Sequence, residues 1–126
     1  MRAFFAVVVA IALASTAAAS EDAAQADIGY PTVASALESL RVKPGTRSSM
    51  QSGWTVIEDR SVLAVWSFVP SGHPAYPTVI RRRVVQEGDD LSIQMDVRCE
   101  AAKPACDAVV AEFERVNGRV RDGLKR

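Results

Sequence analysis

The sequence predicts a small α+β domain, a four-stranded antiparallel meander with an N-terminal and a C-terminal helix packed on one face. Three observations carry this expectation. Residues 90–99 alternate strictly between apolar and polar side chains, the period of a half-buried strand. Two runs with apolar residues at helical spacing flank the strand-forming region. The chain is also too short for two cores: 126 residues less an export signal of 19 leave about 107.

The export signal comes first. Arg2 gives a positive start, residues 3–14 are uncharged and mostly apolar, and Ala17-Ala18-Ala19 fits the small-x-small rule for cleavage before Ser20. The apolar run is shorter than the roughly 20 residues of a stable membrane anchor. No cysteine follows the cut, so a lipid anchor is not indicated. The expected location is periplasmic or secreted, with residues 20–29 a flexible lead-in, 30–121 the domain and 122–126 a tail.

Residues 31–41 are the first helix, because Val33, Ala36, Leu37 and Leu40 share one face and Pro44-Gly45 stops the run. Residues 46–52 read as a polar linker. Strands follow at 53–58 and 61–69, joined by a tight turn at Asp59-Arg60, and at 78–86 and 90–99, joined at Gly88-Asp89. The second turn sets a register that pairs Val84 with Ile93, Arg82 with Met95 and Arg81 with Asp96. The last helix starts at Pro104 and runs to about Val120, with Cys106, Val109, Val110, Phe113, Val116 and Val120 as its apolar stripe.

Cys99 and Cys106 are the only cysteines. In an oxidising compartment two such thiols pair, and this bridge would pin the last helix to the sheet. The spacing is not that of a C-x-x-C redox motif, and one histidine is too few for a zinc site. No metal and no cofactor is expected.

The loop 66–77 holds Trp66, Phe68, Pro70, Ser71, His73, Pro74, Tyr76 and Pro77. Three prolines stiffen it, and Tyr76-Pro77 is a candidate cis bond. His73 is the only histidine, the side-chain type that exchanges protons near neutral pH. Two readings stand: His73 and Tyr76 form a binding or acid-base site, or they hold the turn and cap the core. Arg82 sits on a strand face between Ile80 and Val84, either as solvated surface or as an anion site.

The strand 61–69 is apolar on both faces. With both helices on one face, Leu63, Val65, Trp54 and Val56 would be left as a homodimer interface, a groove for an apolar ligand or peptide, or a surface covered by residues 42–52. The candidate binding residues are therefore His73, Tyr76, Arg82, Trp54 and Trp66.

The segments W-S-F-x-P-x-x-H-P-A-Y-P at 66–77, Arg82, and C-E-x-x-K-x-x-C-D at 99–107 resemble those of a group of small exported proteobacterial proteins. The likeness spans most of residues 30–118. It implies a Gram-negative, periplasmic setting and carries over no site residue.

Catalytic motifs of the serine hydrolase, zinc protease, P-loop and dinucleotide-binding types are missing from the sequence. Without Arg2, 14 basic residues face 15 acidic ones, a balance that argues against a nucleic-acid binder. The expected function is a non-catalytic binding module for a protein partner or small ligand. The alternative is a small enzyme or anion-binding protein built on His73, Tyr76 and Arg82.

Overall fold

The structure, a computed structural model, describes residues 26–124. The export signal at 1–19, its cleavage site at Ala19-Ser20 and most of the lead-in lie outside these residues. Seven elements follow in the order α1 (Val33–Val42), β1 (Thr46–Gln51), β2 (Trp54–Asp59), β3 (Ala64–Phe68), β4 (Thr78–Glu87), β5 (Asp90–Cys99) and α2 (Lys103–Leu124). The sheet is an antiparallel meander in chain order, β1-β2-β3-β4-β5.

It has five strands where four were expected. Residues 46–51, read as a linker, form β1 and pair with β2 from Thr46 opposite Asp59 to Gln51 opposite Trp54. Only Thr46 is even half-buried, so the strand carries no apolar alternation. It is an edge strand wet on both faces, where polar side chains discourage further pairing. The β1–β2 turn is Ser52-Gly53, and both residues have positive φ (50° and 84°). That is the conformation of a two-residue hairpin turn whose twist matches its strands.

The β4–β5 register is as the turn at Gly88-Asp89 dictates: Val84 faces Ile93, Arg82 faces Met95 and Arg81 faces Asp96. The β2–β3 connection is looser than expected. Asp59 pairs with Ala64 across the loop 60–63, and Leu63 takes a left-handed φ of 50°.

Helix α1 begins two residues later than the sequence suggested. Thr32 is its cap, accepting from the Ser35 backbone N–H at 3.0 Å, while the Ser35 hydroxyl accepts from the Thr32 N–H at 3.1 Å. Two otherwise orphaned donors are thereby satisfied. Helix α2 continues to Leu124 and takes in described residues expected to be a tail.

The two helices lie on opposite faces of the sheet, which corrects the expectation of one shared face. Val33, Ala36 and Leu40 of α1 pack with Ile57, Ala64, Trp66, Phe68 and Val79. Cys106, Val109 and Val110 of α2 pack with Ile80, Val97 and Cys99. Val79 and Ile80 are consecutive on β4, so the pleat sends them to opposite sides. A strand apolar on both faces needs cover on both, and the second helix supplies it.

The segment before α1 is not a loose lead-in over its described part. Ile28 is 1% exposed within the α1 core, and the Ala26 N–H donates to Val97 O at 3.0 Å. Arg81 pairs with Asp96 at 2.8 Å and reaches the Asp27 and Ile28 carbonyls, tying this segment to the sheet.

Cys99 and Cys106 are joined by a disulfide, with Cα atoms 5.8 Å apart. It links the end of β5 to the first turns of α2. Among the described residues no helix is long and apolar enough to cross a membrane.

One buried charge is held at the α1–β1 junction. Asp59 is 2% exposed, pairs with Lys43 at 2.5 Å, and accepts from the Ser61 N–H and hydroxyl. Burial pushes its pKa up, but the hydrogen bonds from Lys43 and Ser61 outweigh this and hold it below the ordinary 3.8. The Lys43 ammonium, bonded to Asp59, is raised above its ordinary 10.5. A lowered carboxylate contributes stability that is complete above pH 3.8 and is lost as pH falls through the folded value. A raised ammonium contributes below pH 10.5 and loses its part as pH climbs through the folded value. Wild type should therefore be more stable than Asp59→Asn at neutral pH, with the gap narrowing below pH 3.8 in urea midpoints. A gap that stays constant into acid would show that the Asp59 carboxylate contributes nothing.

Candidate functional site

Because α2 covers β4 and β5 but not the whole sheet, one face of β2 and β3 is left partly open beside it. The register puts Trp54, Val56 and Glu58 of β2 on this face, with Val65 and Ser67 of β3 and Arg82 of β4. Along the other side stand Glu112, Phe113 and Val116 of α2. Together they bound an open groove of about 480 Å³.

Its aromatic end is built by contact. The Trp54 ring lies 5.5 Å from that of Phe113 and 5.3 Å from that of His73. The Arg82 guanidinium sits 5.2 Å from the centre of the Phe113 ring, close enough for a cation–π contact.

Arg82 is the unusual charge of the chain. Its neighbours Arg81 and Arg83 both bind Asp96, at 2.8 and 3.2 Å. Arg82 points to the opposite face, is half-buried, and has no carboxylate within 4 Å among the described residues. Its Nε is enclosed with no hydrogen-bond acceptor. Burial lowers its pKa from the ordinary arginine value, the signature of a cation removed from water without a counter-ion. Glu58 and Glu112, exposed on the groove, have no cation within 4 Å among the described residues either.

The five residues singled out from the sequence are divided among three places. Trp54 and Arg82 line the groove. His73 touches Trp54 at the groove's end, but its ring is engaged in the loop: Nδ1 accepts from the Ala75 N–H at 2.9 Å. Its backbone N–H donates to Pro70 O, and its carbonyl accepts from the Tyr76 N–H. These bonds give His73 the turn-holding role. Tyr76, whose bond to Pro77 is cis, is 51% exposed. It opens onto a separate cavity of about 420 Å³ beside α1, lined also by Val33, Leu37, Phe68 and Pro70. Trp66 is 4% exposed in the α1 core, with Tyr30 edge-on at 5.8 Å and Arg81 over its ring at 5.3 Å. Arg82 and Tyr76 line different cavities, and His73 lines neither of the two.

Sequence reasoning missed Phe113, Glu112 and Glu58 as groove residues. Phe113 reads as ordinary core because it falls on the helix's apolar stripe. No sequence signal set it apart from Val109, Val110 and Val116 on the same stripe, because its contact with Arg82 depends on where α2 crosses the sheet. Among the described residues no group of three or more His, Cys, Asp or Glu side chains is placed to hold a metal ion. The chain matches no protein-family model, no curated protein and no solved structure in the comparisons made.

Proposed function

We propose that this is an exported, non-catalytic binding module whose ligand lies in the groove between α2 and the β2–β3 face. The observation that carries this reading is the groove itself, floored by Trp54, Val56 and Val65, walled by Phe113, and large enough for a small organic ligand. An aromatic pair with a few polar groups around an apolar floor is the composition of a small-molecule pocket. Export is supported by the pattern of residues 1–19 and agrees with a disulfide-stapled domain.

The groove also bears on the homodimer expected through the second face of strand 61–69. That face is half-closed by Phe113 and Val116, which leaves a trough suited to a small molecule and not a flat surface for a second copy. The alternative of an enzyme centred on His73, Tyr76 and Arg82 is disfavoured because Arg82 and Tyr76 line separate cavities.

The test uses N-phenyl-1-naphthylamine, a neutral aromatic probe, followed by NMR of the mature domain. Resonances of Trp54, Val65 and Phe113 should shift while those of Tyr30 and Trp66 stay in place. Phe113→Ala should weaken the probe by about fivefold or more. Shifts confined to the Tyr76 cavity, or no binding, would remove the groove as the site.

A further inference from the structure

Three charged side chains on one groove, each without an ionic partner among the described residues, bear on what the ligand carries. Cross-strand pairing puts Glu58 opposite Val65, and Val65 opposite Arg82. The three form one row across β2, β3 and β4, with an anion at one end, a cation at the other and an apolar side chain between. Two strand spacings separate the ends, roughly 10 Å between backbones. Glu112 adds a second carboxylate on the helix side, beside Phe113.

A purely anionic ligand would satisfy Arg82 but meet two carboxylates. A purely cationic one would satisfy the carboxylates and leave Arg82 half-buried and uncompensated, which is the costlier omission. A neutral apolar ligand would leave all three as they are. A ligand with both charges, separated by an apolar body, answers each of them.

Resting on the groove being the binding site, we propose that its ligand is a zwitterionic di- or tripeptide with an apolar side chain. Its carboxylate is bound by Arg82 and its ammonium by Glu58 or Glu112. The span fits: two or three extended residues cover roughly 7–10 Å, whereas the charges of a single amino acid lie on one α-carbon. Arginine donates in a planar fork that suits a terminal carboxylate, and the Arg82 guanidinium donates to no acceptor among the described residues. The peptide's side chain then rests on Val65, Trp54 and Phe113.

The decisive experiment compares four probes by calorimetry on the wild-type mature domain: leucyl-phenylalanine, its C-terminal amide, its N-acetyl derivative and free phenylalanine. The parent dipeptide should bind, and each of the other three should be weaker by about tenfold or more. Affinity of the parent should fall with added salt. Arg82→Met should abolish the preference for acid over amide, and Glu58→Gln with Glu112→Gln should abolish the preference for free amine over acetyl. An amide that binds within twofold of the acid would overturn the proposal, as would no dipeptide binding at millimolar concentration. If the neutral naphthylamine still binds in either case, the groove survives as a site and only its ligand class is wrong. If it too fails, the site itself falls.

Discussion

Replacing Trp66 by alanine is expected to cost about 4 kcal/mol of stability and to leave the groove's affinity for its ligand unchanged. Trp66 stands in the middle of the α1 core, where it is 4% exposed among Ile57, Phe68, Leu40 and Tyr30. Truncation removes a large buried ring and leaves a cavity that rigid neighbours on three elements fill only in part. Arg81 would lose the ring beneath its guanidinium, although its bond to Asp96 would remain. One compensation is built in. The indole Nε1 is enclosed without a hydrogen-bond partner, so its removal relieves a small penalty. Trp66→Phe, which keeps a ring and deletes that orphan, should cost less than half as much. Denaturant unfolding measures both. Loss of ligand affinity at unchanged stability would return Trp66 to the binding site. Trp54→Ala is the counterpart, because Trp54 lies on the other face against Phe113, and there the larger effect should be on binding.

Removing the disulfide with Cys99→Ser and Cys106→Ser together should cost about 2.5 kcal/mol, the chain-entropy value for so short a loop. Both sulfurs are buried where β5 meets α2, so the hydroxyls add a desolvation cost of their own. Cys→Ala at both positions separates the two contributions. The loss should be concentrated in α2, whose amide protection in hydrogen exchange should fall before that of β2 and β3. Since α2 forms one wall of the groove through Phe113, ligand affinity should weaken along with it. A double variant as stable as wild type, with α2 equally protected, would reduce the bridge to a by-product of the oxidising environment.

Much of this architecture is legible in the residues, and the failures have definite causes. The β4–β5 register follows from Gly88-Asp89 and from strict alternation, two signals that agree. β1 was invisible to hydrophobic periodicity because an edge strand exposed on both faces has no buried row to write. Its only trace was Ser52-Gly53, a turn-forming pair directly before Trp54. The placement of the helices went wrong although cover on both faces was legible in β4, where the consecutive apolar residues Val79 and Ile80 point to opposite sides and both are buried. Ile28 was overlooked because a single apolar residue has no period at all. At the site, Arg82 drew attention as a charge among apolar neighbours. Its solitude could not be read from the sequence, because it depends on which carboxylates the fold brings within reach.

The order of strands in the sheet bears on how the chain acquires its structure. Each strand pairs with its neighbour in sequence, so every step of sheet assembly closes only a short loop. Hairpins can form and zip together in the order in which they emerge. The Ala26–Val97 bond is different, since it joins the first described residue to the last strand. It has no partner until β5 is in place. The sheet's own pairings thus need only short loop closures, whereas this bond needs a long one.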